Sequence, residues 1–405
     1  MAIKLNEDQT SALETLKSKE NVFLTGAAGS GKSFLMRHYL RDQDVPTLAS
    51  TGAAAILVGG RTFHSFFGLG IMEGGVLASV DRALKNKPIL KRLRDAKEVV
   101  IDEVSMISGP TLRAAEMIMR KVRGNTSPWG GLRVVVVGDF AQLPPVNPHA
   151  REKEWAFLDE VWQQSDFKPA VLSKIMRTKN LEFLKVLNSV REGKVTDEVT
   201  QFLNSRLEPN PGGDLTRLFS HRGDVESFNL SKLEKIKGPT HIFKTLYKGK
   251  AKNIEAFRKH SPIAEELQLK EEALVMLRQN DHEGRWVNGS LGHIKSISKT
   301  ALGIQLLSGL AIEIEMAEFT MLDAEGLPVV TAINFPVSLA WAMTIHKAQG
   351  TSLDRMMVDL RKVWEPGQAY VALSRARDPK GLFIEGWSPK QIFADPRVSS
   401  FHAGL

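Results

Sequence analysis

The chain has 405 residues, 42% of them hydrophobic and 25% charged, with a formal net charge of +8, a pI near 9.4 and no cysteine. That is the composition of a globular protein with material for two or three domains, and the missing thiols exclude disulfide staples, thiolate zinc sites, iron–sulfur clusters and cysteine nucleophiles. No apolar run is long enough to span a bilayer, and the positive balance favours polyanionic partners, although a merely solvated basic surface gives the same charge.

The opening stretch MAIKLNEDQTSALETLKSKEN has no apolar signal-peptide centre and reads as an amphipathic helix, so the chain is expected to stay in the cytoplasm. VFLTG (22–26) predicts a strand that runs into a Gly-rich turn, and SFLMRHYLRD after it has helical spacing. An insertion begins at FFGLGIMEGG and continues as a basic helix to residue 95. VVID (99–102) and RVVVVGD (133–139) are continuous β-branched runs, the pattern of strands buried on both faces, and Thr111 to Arg123 between them reads as a helix. A second cycle starts near Ala170, with FLKVLNSVREG and DVESFNLSKLEKIKG as helices and TRLFS as a strand. From 237 to 326 the pattern changes. HIKSISK, GIQLLSG and AIEIEMAEF alternate apolar and polar residues between Gly or Ser turns, which predicts short antiparallel strands forming a small inserted barrel. RMMVDL, GQAYVALSRA and LFIEGW then resume the strand–helix–strand alternation of a parallel α/β sheet.

GAAGSGKS, formed by Gly26, Ala27, Ala28, Gly29, Ser30, Gly31, Lys32 and Ser33, satisfies the P-loop pattern between a strand and a helix. Its glycines let backbone N–H groups close around phosphate oxygens at a helix N-terminus. Lys32 is expected at the β and γ phosphates of ATP and Ser33 at Mg²⁺. VVIDEVS sets Asp102 and Glu103 at a strand end, where Asp102 suits the metal and Glu103 suits a base for the attacking water. VVVVGDFAQLPPV follows another buried strand with Asp139 and Gln142, placed to sense a γ-phosphate. Arg177 in LSKIMRTKN and Arg375 in VALSRAR could each stabilise transition-state charge across a cleft. Residue type alone leaves both equally readable as surface arginines.

The order GAAGSGKS, TFHSF, DEVSM, GDFAQLPPV, HKAQGTSLD, VALSRAR, running from Gln9 to about Trp387, resembles superfamily 1B helicases, above all the Pif group with its RecD-like and Dda-like relatives. The resemblance implies two tandem RecA-like parallel-sheet motor domains with ATP between them, a small wedge insertion and a β-barrel insertion. On this reading the first motor domain is 1–66 with 96–167, the wedge 67–95, the second motor domain 168–236 with 327–405, and the barrel 237–326. It also implies that Gln9 reads adenine, that Gly350 lies at the nucleotide, and that Arg177 and Arg375 reach the phosphates. The polarity of translocation, 5′ to 3′ on single-stranded DNA, comes from the resemblance alone. Three places depart from the family pattern: Leu112–Arg113 after DEVSM, Thr178 and Asn180 after Arg177, and His221–Arg222 where relatives carry a Thr–Asn pair.

A single-strand binder needs cationic or polar contacts to the backbone and planar groups for bases. Thr51, His64, Ser65 and Phe66 stand at the family's first DNA-contacting motif, Pro145, Val146 and Asn147 lie just beyond the phosphate sensor, and His346 and Lys347 match from the second domain. Phe66 is equally readable as a core residue or a stacking platform; Trp341 reads as core, and Trp286 as packing or contact. The expected function is an ATP- and Mg²⁺-dependent DNA helicase acting as a monomer on single-stranded and tailed duplex DNA. A DNA-stimulated translocase that does not separate strands, and a nucleotide-switched DNA-binding module, are the alternatives.

Overall fold

The computed structural model describes residues 5–51, 54–55, 61–70, 72, 74–146, 152–261, 263–281, 285–322 and 327–405. The chain opens with the helix Glu7–Lys17, whose start is fixed by a capping box in which Asn6 and Gln9 bond each other's backbone N–H groups. The strands β1 (Val22–Gly26), β2 (Thr47–Ala49), β3 (Arg61–Thr62), β4 (Glu98–Ile101), β5 (Arg133–Gly138) and β6 (Lys168–Leu172) follow. They form one sheet in the order β3-β2-β4-β5-β1-β6, with every neighbouring pair parallel. β1 is buried throughout and β4 and β5 nearly so, because helices cover both faces. On one face Leu13, Leu16 and Leu35 pack on Leu24, Val100 and Val135. On the other, Leu112, Ala115, Ile118 and Met119 of the helix Gly109–Arg123 pack on Ile101 and Val136. The helices Gly75–Leu84 and Lys87–Asp95 add Val80, Ala83, Ile89 and Leu93 to that second core, and Lys87, Lys91 and Arg94 point to solvent.

β6 corrects one expected boundary. Residues 168–172 were placed with the second domain, yet they pair with β1 along their whole length as an edge strand of the first sheet. Pro169 is tolerated there because an edge strand needs no donor on its open side.

The second sheet opens with β7 (Thr216–Phe219), and the chain then leaves it for β8 (His241–Lys244), β9 (Leu246–Gly249), β10 (Glu266–Leu269), β11 (Leu274–Leu277), β12 (Leu291–Ile297), β13 (Ala301–Leu306), β14 (Ala311–Glu315), β15 (Ala317–Leu322), β16 (Pro328–Asn334) and β17 (Val337–Leu339). These make three antiparallel sheets, β14-β13-β12-β11-β17, β15-β16-β9 and β10-β8. β13 shows the alternation seen in its sequence, with Leu302, Ile304 and Leu306 turned into the core. β16 and β17 lie past 326, so the inserted sheets run on to Leu339. The chain returns as β18 (Ala342–Thr344), β19 (Met356–Asp359) and β20 (Leu382–Gly386), completing a parallel sheet in the order β18-β7-β19-β20.

The last helix, Pro396–Ala403, does not pack with the second sheet it follows. Ile392 still belongs to the second core, but Val398 and Phe401 join the first. Phe401 stacks on Phe157 with ring centroids 4.4 Å apart and meets Phe140 edge-on at 5.4 Å. Trp155 Nε1 donates to Asp395 at 2.7 Å, and Arg397 reaches Glu152 at 2.8 Å. Residues 395–403 thus strap the second sheet to the first, because an aromatic cluster buries more apolar area there than solvent allows. Phe401→Ala should lower stability by about 2–3 kcal/mol, less than for a fully enclosed ring, read as a fall in the urea midpoint.

Candidate functional site

β1 delivers the chain into the P-loop with Gly26, Gly29 and Gly31 at φ of 150°, 86° and 100°, conformations an L side chain rarely adopts. A Cβ at Gly29 would strike the Arg177 side chain, and one at Gly31 would lie 2.8 Å from Gln9 Nε2. The glycines therefore let Gln9 and Arg177 approach the loop from two sides. Met176 N–H donates to Gly29 O at 2.8 Å, which docks the segment after β6 onto the loop. Lys32 Nζ donates to Gly26 O at 2.7 Å and Ala27 O at 3.3 Å. Burial pulls the Lys32 pKa down, while Asp139, Glu103 and Asp102 pull it up, so all three carboxylates lie in electrostatic reach of one ammonium.

At the end of β4, Glu103 N–H donates to Asp102 Oδ1 at 2.9 Å. Glu103 itself sits at φ 51°, ψ 49°, a left-handed conformation costly for a residue with a Cβ. Burial raises the Asp102 pKa, and burial with the Asp102 charge pushes Glu103 up to about 7. Two adjacent half-buried carboxylates with raised pKa values are an arrangement that a cation stabilises. A side chain from the second domain reaches Glu103: Gln349 Nε2 donates to Glu103 Oε2 at 2.9 Å and lies 3.4 Å from Gln142 Oε1.

Arg375 is 1% exposed, and its donors go to the carbonyls of Val371 (2.9 Å), Ala348 and Thr351 (3.3 Å each) and to the Ser374 hydroxyl (2.8 Å). Among the described residues no carboxylate stands within ion-pair distance of it. Burial, with Arg177 beside it, lowers its pKa to about 9. Arg177 lies in the connection between the two sheets and donates to Ser374 O. Such guanidiniums are costly unless further acceptors join them, and Arg177 lies between Arg375 and the P-loop, touching Ser374 O on one side and Gly29 on the other.

Asp139 corrects an expectation. It was read as a phosphate sensor, but it is fully buried in an ion pair with Arg191 of the helix Leu181–Arg191, Nη2 to Oδ1 at 2.8 Å. Burial would raise its pKa; Arg191 and Lys32 outweigh that and hold it below the usual carboxylate range. Arg191 also donates to His402 Nδ1 at 2.6 Å, and Ala28 N–H of the P-loop donates to the Tyr370 hydroxyl at 2.7 Å. Gln142 stays beside the carboxylates, 5% exposed.

The remaining expected residues fall as follows. Ser33 is exposed at the start of the helix Lys32–Tyr39, and Gly350 takes φ 79° in the turn after Gln349. Thr51 Oγ1 accepts from Ala54 N–H at 3.3 Å. In the helix Phe63–Phe67, His64 is half-buried and Ser65 exposed, but Phe66 is 1% exposed within the first core under the Arg92 guanidinium. Phe66 is thus a packing residue, not a base platform, because its faces are taken by Arg92 and Phe67. Pro145 is buried, Val146 is 68% exposed, and Asn147 lies outside the described residues. His346 is half-buried and Lys347 exposed on the turn Ile345–Ala348. Trp341 packs against the second core and the inserted one, and Trp286 is buried. Gln349, Tyr370, Arg191 and His402 escaped sequence reasoning. Gln349 stood inside the recognised HKAQG segment, where a second amide facing the carboxylates was a usable signal; the others carried none.

Two parallel sheets, with a P-loop at the first and cationic side chains reaching it from the second and from the connection between them, define the RecA-like class of nucleotide-driven motors. The chain matches the family described as PIF1-like helicase over residues 4–201, and a second helicase family, described as Helicase and of herpesvirus type, over 310–400. It is 48% identical to the ATP-dependent DNA helicase Pif1 of Bdellovibrio bacteriovorus, over 99% of this chain and 92% of that one. Among solved structures it is similar to Bacteroides sp Pif1 in complex with ADP-AlF4, at 27% identity and TM-score 0.86, covering 100% of this chain and 97% of that one. It is also similar to Pif1 helicase from Bacteroides in complex with ADP-AlF3 and ssDNA, at 28% identity, the same coverage and TM-score 0.72. The chain belongs to the PIF1-like helicase family, and its activity is that of an ATP-dependent DNA helicase.

His402 gives the site a pH signature. Burial, reinforced by Arg191 and Lys32 against Asp139, lowers its pKa to about 4, so it is neutral in the fold while its unfolded form protonates near 6.5. The unfolded chain therefore binds the extra proton first, and stability falls as pH drops from 6.5 towards 4. His402→Gln should remove about 2 kcal/mol of the stability difference between pH 7 and pH 5, measured by denaturant titration at both values.

Proposed function

We propose that the chain moves 5′ to 3′ along single-stranded DNA as a monomer and opens tailed duplexes, using ATP and Mg²⁺ bound between the two sheets. The observation that carries the reading is Arg177 packed against Gly29 of the P-loop and bonded to Ser374 O next to the buried Arg375, neither guanidinium having a carboxylate partner among the described residues. In this reading Gly26 to Ser33 hold the phosphates, Lys32 reaches the β and γ phosphates, and Gln9, beside Gly31, meets the adenine. Gly350 lies at the nucleotide from the second sheet.

Ser33 Oγ and Asp102 would hold Mg²⁺, a fit supported by two adjacent carboxylates at the end of β4 beside the helix that carries Ser33, both with raised pKa values. One carboxylate, one hydroxyl and substrate phosphates make a usual magnesium ligand set, and the ion offsets developing phosphate charge. Glu103 takes the proton of a water attacking the γ-phosphorus, Gln142 orients that water, and the bond to the bridging oxygen breaks to release ADP and phosphate. Arg177 and Arg375 stabilise the charge that develops. Asp139, tied to Arg191, holds the sheets and does not touch the nucleotide.

For DNA, Thr51, His64, Ser65, Pro145 and Val146 form the grip on the first sheet, and His346 and Lys347 the grip on the second. The charge around Lys347 supports this. Although its side chain reaches solvent, desolvation by the protein around it lowers its pKa, and the nearby Arg278 and Arg222 lower it further against Glu226. Arg278 is 8% exposed, its Nη1 meets only Met276 Sδ, and its Nε has no partner among the described residues. Arg222 is paired with Glu226 at 2.8 Å, which leaves Lys347 and Arg278 as the cations that would favour a phosphate backbone. We assign 1–66 with 96–172 to the first motor domain, 67–95 to the wedge, 237–339 to the inserted sheets and the rest to the second motor domain, with 395–403 returning to the first.

Two measurements check this reading. Arg375→Ala should cut kcat for ATP hydrolysis by about 10³-fold or more while the KM for ATP changes far less, and Lys32→Ala should abolish turnover without altering the thermal melt. In strand displacement with short duplexes, the wild type should open the 5′-tailed substrate and spare the 3′-tailed one. Opening of only the 3′-tailed duplex would reverse the polarity, and DNA-stimulated hydrolysis with neither opened would leave a translocase that does not separate strands.

A further inference from the structure

Between the catalytic carboxylates and the second DNA grip lies a single short turn. Ile345 and Ala348 are buried, and Thr344 Oγ1 caps the turn by accepting from Lys347 N–H at 3.1 Å. Gln349 N–H then donates to His346 O at 3.2 Å. The carbonyl of Ala348 accepts from Thr351 Oγ1 at 2.7 Å and from Arg375 Nη1, and Arg375 also holds Thr351 O. His346 and Lys347 on one side, Gln349 in the middle and Arg375 behind are therefore one rigid unit. From that unit the Gln349 amide crosses the cleft to Glu103 Oε2, the one side-chain hydrogen bond Glu103 makes among the described residues.

We propose that Gln349 is a positioning residue that latches Glu103 away from the attacking water until DNA, engaging His346 and Lys347, moves the turn and releases it. The inference rests on the reading of Glu103 as the base. A carboxylate oxygen already accepting from a fixed amide has that lone pair occupied and is held towards the second sheet. The left-handed backbone at Glu103 aims the side chain across the cleft, where the latch meets it. The consequence of the latch is an ATPase that idles slowly without its track, since hydrolysis then waits on contact with DNA.

The test is steady-state ATP hydrolysis by the full chain with Mg²⁺, without DNA and at saturating oligothymidylate, for the wild type, Gln349→Met and Glu103→Gln. Gln349→Met keeps the volume and removes the donor; Gln349→Ala replaces it if its melt shows misfolding. The expected result is a DNA-free kcat raised about tenfold, the scale of one hydrogen bond to a charged group, with the DNA-saturated kcat within about twofold of wild type. The KM for ATP should not move, so the stimulation ratio collapses from the DNA-free side. A DNA-free rate that is unchanged or lower overturns the latch, because a supporting or directly catalytic Gln349 would slow both rates. If Glu103→Gln hydrolyses ATP like the wild type, the base assignment fails and the latch with it. If Glu103→Gln is dead and Gln349→Met keeps the wild-type DNA-free rate, only the latch fails.

Discussion

The Asp139–Arg191 ion pair is the contact on which the two-sheet arrangement depends. Asp139 directly follows β5 of the first sheet and has no access to water, so its charge must be met from inside the protein. The answering guanidinium comes from a helix whose Phe183, Val186, Leu187 and Val190 belong to the second core. Against an apolar pair of the same shape such a bridge adds little net stability, but removing one partner strands the other at a cost of about 3–5 kcal/mol. Its value is therefore positional: it fixes where the second sheet meets the back of the P-loop. Tyr370, accepting from Ala28 N–H, and His402, accepting from Arg191, extend that fixed point to the loop in front and the C-terminal strap behind.

With one corner of the cleft pinned, the other side groups fall into order. Arg177 and Arg375 have no carboxylate partner among the described residues, and Asp102 with Glu103 carries more negative charge than Lys32 alone offsets. In the proposed reading, the phosphates of ATP would meet the first set and its divalent cation the second.

How far this was legible beforehand follows from what kind of signal each residue carries. β1, β4 and β5 were readable because burial on both faces demands unbroken runs such as VVVV, and the P-loop because its glycines are forced by backbone geometry. β6 was misplaced because KPAVL is an edge strand, half exposed and carrying a proline, so it lacks the buried-strand pattern. Phe66 shows the opposite limit: a motif position offered a base platform, but burial is decided by the inserted helices that bring Arg92 over its ring, and no local pattern encodes that contact. Arg191, Tyr370 and His402 are long-range partners, separated from what they touch by 52, 342 and 211 residues. One sequence without alignment holds no trace of such pairings, whereas Gln349 was visible in its motif and lacked only a partner.

A motor of this kind has to transmit a change of under an ångström at phosphate to a polymer lying outside the site, and packed interiors transmit only through elements that move as units. Two such elements leave the nucleotide site here. On the first sheet Gln142 and Val146 lie on one short stretch of chain, the former buried beside Glu103 and the latter in solvent. On the second, the turn 345–351 carries Lys347 outward, Gln349 inward and the Arg375 bonds across its base. Each is too short to bend and each is anchored by a buried core, so displacement at one end must appear at the other. The two elements meet at Gln349 and Gln142, 3.4 Å apart, so a change at either carboxylate-facing amide is felt by the other.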